Sequence, residues 1–176
     1  MRLLSRDQIL AALEALAVEL EKTGSSTDVV IGGGAALVLL YNARDATRDV
    51  DAFALLSANP ESLRVAVRKV AELLDLPEDW LNNGAKGYLH GLALGDVLLE
   101  RPFLIVRTVT PQQLLAMKLC AWRDDVDIAD ARLLLSKIPG DKDRIWDTIQ
   151  SYLIPGRELK ARYAYEDLWE LEHGSS

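Results

Sequence analysis

The feature that most constrains this chain is a run of three glycines, Gly32–Gly34, placed between an apolar segment and a pair of aspartates. The apolar residues Val29–Ile31 predict a short buried strand, and the glycines turn the chain into a helix. A second strand, predicted over residues 48–55, carries Asp49 and Asp51. Because side chains two positions apart on a strand point to the same face, we expect the two carboxylates to lie side by side.

This order of strand, glycine turn, helix and acidic strand predicts a small site for a divalent cation and phosphate. Two adjacent carboxylates repel each other unless a cation offsets their charge, and such oxygen ligands suit Mg²⁺ or Mn²⁺. A glycine turn lets the backbone approach a ligand closely, and the following helix directs its free N–H groups toward bound phosphate. An ordinary explanation stays open for each motif. The aspartates could lie on a solvated strand edge of a plain interaction domain, and the glycines could make only a tight turn.

The composition restricts the class of protein. The chain has 176 residues, 49% of them hydrophobic, which allows a proper core in one domain with or without a small appendage. The net charge of −7 argues against duplex DNA or a membrane surface as a partner. No apolar stretch is long enough to cross a membrane, and the N-terminus lacks a signal-peptide core. The single cysteine, Cys120, predicts a buried, inert thiol and suits a reducing, cytoplasmic location.

Several other kinds of site are excluded because the chain lacks the motifs that they require. The glycine run lacks the third glycine of a dinucleotide fingerprint, and no G-K-[ST] follows it as in a Walker loop. The chain has no H-E-x-x-H or C-x-x-C motif. Its two histidines, His90 and His173, have no ligand-like spacing and are interpreted as surface or packing residues.

The pattern of apolar residues and capping signals predicts an α+β protein: a small mixed β-sheet flanked by helices, with a C-terminal helical bundle. Strands are expected over residues 29–31, 48–55 and 103–106, and residues 76–96 are expected to be less regular. Helices are expected over residues 9–20, 35–41, 60–75, 128–135, 142–153 and 157–171, and one begins at residue 111. We expect an α/β core over residues 1–109 and helices over 110–176 that either pack on it as part of one single domain or form a small second lobe. A frayed tail is expected at residues 174–176.

At this point the chain resembles a known family. Gly33-Gly34, then Tyr41, Arg44, Thr47 and Asp49-Val50-Asp51-Ala52, are similar to the signature of the nucleotidyltransferase superfamily of polymerase-beta type. The resemblance is greatest to its minimal bacterial branch, which includes AbiEii-type toxins of toxin–antitoxin systems. It continues in residues 111–123, which resemble the lysine helix of that family, and in Asp127-Ile128-Ala129-Asp130, which resembles its D-x-x-D element.

The resemblance implies transfer of a nucleoside monophosphate from an NTP to an RNA, protein or small-molecule acceptor, with Mg²⁺ (or Mn²⁺) as cofactor. It implies that Asp49 and Asp51 bind the metal, and that Lys118 reaches the phosphates as a point charge. Asp127 or Asp130 would orient Lys118, Arg123 or the acceptor. The nucleotide-binding residues that it implies are Gly32, Gly33, Gly34, Arg44, Thr47 and Arg48.

Two sets of these residues have simpler alternatives. Arg44 and Arg48 could neutralise the aspartates rather than contact phosphate. Arg123 and Asp127 could form a helix-surface ion pair of about 0.3–0.5 kcal/mol, with Asp127 and Asp130 on one solvated helix face.

The chain also departs from the family pattern. Active members carry a third carboxylate on a later strand, where it can act as a base, but residues 103–107 contain no acid. Asp96 and Glu100 lie just upstream as substitutes. Two hypotheses therefore follow: an active transferase, with a toxin–antitoxin component among the roles implied, or a catalytically degenerate nucleotide-binding or antitoxin protein. The cognate antitoxin or toxin would be a partner in either case.

Overall fold

The computed structural model describes residues 3–174 and is a mixed α+β fold, as predicted. The expected fraying at Ser175 and Ser176 lies outside the described residues. The described chain forms two compact units, one of residues 3–85 and Leu94–Val109, the other of Lys86–Ala93 and residues 110–174.

The first unit contains seven strands and three helices among its described residues. In chain order they are β1 (Leu4–Ser5), α1 (Arg6–Thr23), β2 (Thr27–Ile31), α2 (Gly33–Tyr41), β3 (Ala46–Thr47), β4 (Val50–Ser57), α3 (Pro60–Leu74), β5 (Leu81–Asn82), β6 (Leu94–Arg101) and β7 (Leu104–Val109). Five strands form one mixed sheet in the order β5-β4-β2-β7-β6, and β1 pairs with β3. Helix α1 packs against α3 and β7.

The helix boundaries of this unit follow the capping signals in the sequence. Ser5 and Gln8 form a capping box at the start of α1, and Gly24 ends that helix in the left-handed conformation. Pro60 occupies the first turn of α3, where Asn59 supplies the cap. Local chemistry therefore sets the ends of these helices.

The strand predictions needed correction. The acidic strand begins at Val50 and extends to Ser57, so Asp49 directly precedes it. The segment expected to be less regular, residues 76–96, contains β5 and the first residues of β6. These short or edge strands depend on pairing with distant residues, which leaves little local signal.

Strand register brings the glycine turn to the aspartates. Ile31, the last residue of β2, pairs with Ala52 of antiparallel β4 and with Thr108 of parallel β7. The carboxyl end of β2 therefore meets the amino end of β4. Beyond that pair, the Gly32 N–H donates to the carbonyl of Asp51 at 2.9 Å.

The second unit is a helical bundle. It contains α4 (Pro111–Ala121), α5 (Asp125–Lys137), α6 (Lys142–Ile149) and α7 (Glu158–His173), and α4 contacts each of the other three. Thr110 caps α4 and Pro111 begins it, as predicted. The buried Gln113 side chain fixes the backbone of residues 90–93 by hydrogen bonds. It donates to the carbonyls of His90 and Gly91 and accepts from the Ala93 N–H.

The cysteine and the histidines have the environments that the sequence predicted. Cys120 is fully buried, and burial raises the pKa of its thiol, which keeps it protonated and inert. His90 and His173 are exposed, and the ring of His173 stacks on Trp169. Within residues 3–174, none of the helices combines the length and the apolar composition that a bilayer crossing requires.

Candidate functional site

The glycine turn of the first unit is built so that only glycine fits at its centre. Gly33 has φ +58°, and a Cβ there would lie 2.6 Å from Oδ2 of Asp51. A Cβ on Gly34 would lie 3.1 Å from Oγ1 of Thr47 and 3.6 Å from Nη2 of Arg44. The turn therefore packs directly against side chains that the sequence assigned to the site.

Helix α2 begins at this turn without a side-chain cap. Gly32 is its N-cap residue and makes no side-chain hydrogen bond, and no acidic residue lies in the first turn. The first N–H groups of a helix have no partner within the helix, so they are available to an anion. The turn thus offers N–H donors and the positive end of a helix dipole beside the aspartates.

The two aspartates contact the same short segment of chain. Oδ2 of Asp49 accepts a hydrogen bond from Nδ2 of Asn82 at 2.7 Å. Oδ1 of Asp51 accepts one from the Ala85 N–H at 2.8 Å, while its other oxygen faces Gly33. The core residue Val50 lies between them and is fully buried. Both carboxylates are therefore directed to one side, with residues 82–85 around them.

A buried tryptophan places this segment. Trp80 is fully buried, its Nε1–H donates to the Val67 carbonyl at 3.1 Å, and its own carbonyl accepts from the Val50 N–H at 2.7 Å. The next residues form β5, which pairs in parallel with β4 and sets Asn82 beside Asp51. Asn82 is not among the site residues predicted from the sequence, because Asn82-Asn83-Gly84 by itself indicates only a turn. The asparagine–glycine spacing was the available signal, since Oδ1 of Asn82 accepts from the Gly84 N–H at 2.6 Å.

The remaining nucleotide-binding candidates fall into two groups. Arg44 and the buried Thr47 lie against Gly34, beside the turn. Arg48 is exposed, in the link between β3 and β4. The first two are thus part of the local packing, whereas Arg48 is a cation on its surface.

The strand on which the resemblance implies a third carboxylate does not pair with the strand that follows Asp49. Residues 104–107 belong to β7, which β2 separates from β4. Asp96 and Glu100 are exposed on β6, the last strand of the sheet. The strand that does flank β4 on its other side is β5, and its residue beside Asp51 is Asn82.

The donor set suits a metal ion shared with phosphate rather than one enclosed by protein. Among residues 3–174, no group of three His, Cys, Asp or Glu side chains could hold a metal ion. Magnesium commonly binds through one or two carboxylates, with waters and substrate phosphates completing its octahedron. Asp49 and Asp51 beside the glycine turn fit that arrangement, since the turn leaves backbone N–H groups for the phosphates.

The second unit gathers the other candidates into an ion network in which the lysine and both carboxylates are buried and the arginine is exposed. Nζ of Lys118 lies 2.8 Å from Oδ1 of Asp127 and 2.7 Å from Oδ2 of Asp130. Asp127 also accepts from the backbone N–H of Arg123 at 3.1 Å and from its Nε at 2.9 Å. Two cations and two anions make this network formally neutral.

The network overturns the simpler alternative of a solvated helix face. Asp127 is 1% exposed and Asp130 is 5% exposed. Arg123 lies in the loop between α4 and α5, so its bond to Asp127 joins that loop to α5 rather than two turns of one helix. The carboxylates orient Lys118, which is one of the roles that the resemblance implied, while its contact with phosphate stays a prediction.

Asp127 is held ionised despite its burial. Burial by itself raises the pKa of this carboxyl, but hydrogen bonds from Arg123 and Lys118 outweigh that effect and lower the pKa to about 2. The same bond raises the pKa of the Arg123 guanidinium. Asp127 is therefore an anion at neutral pH.

Comparison with known proteins agrees with these features. Residues 8–146, which contain both the glycine turn and the ion network, match the model of a family described as a nucleotidyltransferase of unknown function (DUF6036). No curated protein and no solved structure matches the chain. The match supports the superfamily and leaves the AbiEii-type branch as a prediction.

Proposed function

Since this chain belongs to a family of nucleotidyltransferases of unknown function, we propose that it transfers a nucleoside monophosphate from an NTP to a hydroxyl acceptor, with Mg²⁺ or Mn²⁺ as cofactor. The observation that carries the proposal is the contact between the glycine turn and the acidic pair, where Gly33 leaves space only for the carboxylate of Asp51. Phosphate-binding N–H groups and metal-binding oxygens are thus adjacent in one unit.

Each residue of the turn has a defined task in this reaction. The N–H groups at the start of α2 bind phosphate oxygens, and Arg44 beside Gly34 adds positive charge. Asp49 and Asp51 hold the cation, which when bound neutralises charge on the triphosphate. Such transfer depends mainly on positioning and charge stabilisation, which these groups supply.

The chemical step balances without a further reactant. The acceptor oxygen forms a bond to the α-phosphorus, and the bond from that phosphorus to the bridging oxygen of the β-phosphate breaks. Pyrophosphate leaves with the electron pair, and the proton of the acceptor hydroxyl passes to solvent. The products are the nucleotidylated acceptor, pyrophosphate and a proton.

Nucleotide binding tests the acidic pair. The double variant Asp49→Asn, Asp51→Asn should lower metal-dependent NTP affinity by about 100-fold or more, equivalent to about 2.7 kcal/mol, because both metal ligands lose their charge. Isothermal titration calorimetry with each NTP, with Mg²⁺ and with EDTA, measures this loss. The charge-matched control Glu21→Gln, Glu72→Gln alters two exposed residues of α1 and α3 and should bind as the wild type does. Equal affinity in the Asp49, Asp51 variant would contradict the site.

The glycine turn gives an independent prediction. Gly33→Ala should cost about 1–2 kcal/mol of stability from its left-handed backbone, and should displace Asp51 and weaken NTP binding at least tenfold. Gly24→Ala is the matched control, since Gly24 has φ +63° but nothing within 4 Å of an added Cβ. Thermal unfolding should show a similar loss in both variants, while calorimetry should show weaker NTP binding only in Gly33→Ala. Equal NTP affinity in the two variants would argue against the turn as the phosphate site.

A nucleotide-binding protein without transferase activity is the second candidate, favoured by an asparagine in place of an acid beside Asp51. Incubation of the protein with α-phosphate-labelled NTP, total RNA and cell protein separates the two. Label on RNA, on protein or on a small molecule supports the transferase and identifies the acceptor class. NTP binding without any transfer supports the second candidate.

The proposal extends to a toxin–antitoxin role. As a toxin, the wild-type chain should arrest growth when expressed in bacteria, whereas the Asp49→Asn, Asp51→Asn variant should not. Growth arrest by neither or by both would count against a toxin that acts through this site.

A further inference from the structure

We propose that Asn82 is a positioning residue, which holds the Asp49 carboxylate in the orientation that a metal-bridged nucleotide requires. This inference rests on the proposed function and adds a residue that neither the glycine turn nor the D-x-D motif contains. It assigns to the short strand β5 a role in the site beyond extending the sheet.

The hydrogen bonds of Asn82 fix which way its amide points. Nδ2 donates to Oδ2 of Asp49 at 2.7 Å and to the carbonyl of Asp79 at 3.1 Å. Oδ1 accepts from the Gly84 N–H at 2.6 Å. Both N–H donors of the amide thus meet acceptors, and its oxygen meets a donor. A flipped amide would instead place Oδ1 of Asn82 against the carboxylate oxygen of Asp49.

The same segment also restrains the second aspartate. The Ala85 N–H donates to Oδ1 of Asp51 at 2.8 Å. A Cβ on Gly84 would lie 2.9 Å from Oδ1 of Asn82 and 3.4 Å from Oδ1 of Asp51, so the turn lies tightly between them. Asn82 and Ala85 therefore each donate to one carboxylate of the pair, so hydrogen bonds from the protein itself orient both.

This arrangement has a physical advantage for a site that uses two carboxylates. Hydrogen bonds from N–H groups stabilise neighbouring anions whose mutual repulsion would otherwise spread them apart. A carboxylate that is already oriented loses less freedom when a cation binds, and partners of this kind change metal affinity or activity by roughly 10–100-fold. An acid at position 82 would instead place a third negative charge against Asp49.

The test compares two neighbouring asparagines. Asn82→Ala should raise the Mn²⁺ concentration needed for half-maximal NTP binding by roughly 10–100-fold, measured by calorimetry across a Mn²⁺ series. Asn83→Ala alters an exposed residue one position away and should leave that concentration unchanged. If wild type and Asn82→Ala show the same Mn²⁺ dependence, Asn82 does not position the metal ligand. If the wild type binds no NTP at any Mn²⁺ concentration, it is the proposed function that fails.

A second variant separates positioning from a purely structural role in the turn. Asn82→Asp keeps the side-chain shape but replaces the donor by a third carboxylate. In EDTA its melting temperature should fall below that of the wild type, and Mn²⁺ should raise it by more than it raises that of the wild type, because the cation offsets the added charge. A melting temperature that Mn²⁺ does not change in Asn82→Asp would overturn the inference, even if Asn82→Ala is too unstable to measure.

Discussion

Replacing Asp127 by asparagine is expected to lower the free energy of unfolding by about 3–5 kcal/mol. The change keeps the shape of the side chain but removes the charge that Lys118 and Arg123 share. Lys118 is 8% exposed, so its ammonium group would be left in the core with Asp130 as its only remaining anionic partner in the network. A buried charge without full compensation is costly, because the protein no longer offsets the loss of its hydration. Urea unfolding at pH 7 measures the loss.

Asp125 provides the matched control for this variant. It lies two residues away in the first turn of α5 and is exposed. Asp125→Asn removes one negative charge from the same helix terminus and should cost only about 0.3–1 kcal/mol. A similar small loss in Asp127→Asn would show that the network is not a stabilising element of the bundle.

The pH dependence of stability provides a second measurement on the same residue. The folded pKa of Asp127 is about 2, against an ordinary value of 3.8, so the folded protein binds fewer protons at this site than the unfolded chain does. Its contribution, about 2 kcal/mol, is present above pH 4 and is lost as the pH falls from 4 toward 2. Asp127→Asn should therefore lose less stability than the wild type over that range. An equal loss of stability in the two proteins between pH 4 and pH 2 would contradict the lowered pKa of Asp127.

Truncating Trp80 to alanine should destabilise the protein by about 3–5 kcal/mol, because the indole is fully buried and its removal leaves a large cavity. The effect should extend to the acidic pair. The Trp80 carbonyl accepts from the Val50 N–H, and β5 begins at the next residue. We therefore expect metal-dependent NTP binding to weaken in Trp80→Ala under conditions where the protein remains folded.

Trp80→Phe separates packing from the indole hydrogen bond. Phenylalanine keeps most of the buried ring but cannot donate to the Val67 carbonyl, so a loss of about 1–1.5 kcal/mol is expected. Denaturant unfolding and NTP titration of both variants make the comparison. If Trp80→Ala is no less stable than Trp80→Phe, the tryptophan does not anchor the segment.

The glycine turn and the acidic pair were predictable because their signals are local. Gly33 at a strand-to-helix turn indicates backbone freedom, and two aspartates at i and i+2 predict a shared face. Although Asp49 precedes β4, both carboxylates contact residues 82–85. The fold class followed from periodicity and capping residues such as Ser5 and Thr110, which act within one helical turn. The family match agrees with the superfamily that the glycine turn and the acidic pair resemble.

The neighbours of those residues were decided only by tertiary structure. Asn82 reaches Asp49 across 33 positions of sequence, because β5 pairs with β4 and Trp80 is buried against α3. The sequence cannot show that β5, and not β7, pairs with β4, because the residues of a strand do not specify its order in the sheet. Likewise, the spacing of Asp127 and Asp130 predicts a shared helix face but not whether that face is buried. Local sequence thus determined which groups could do chemistry, and long-range pairing and burial determined which partners they meet.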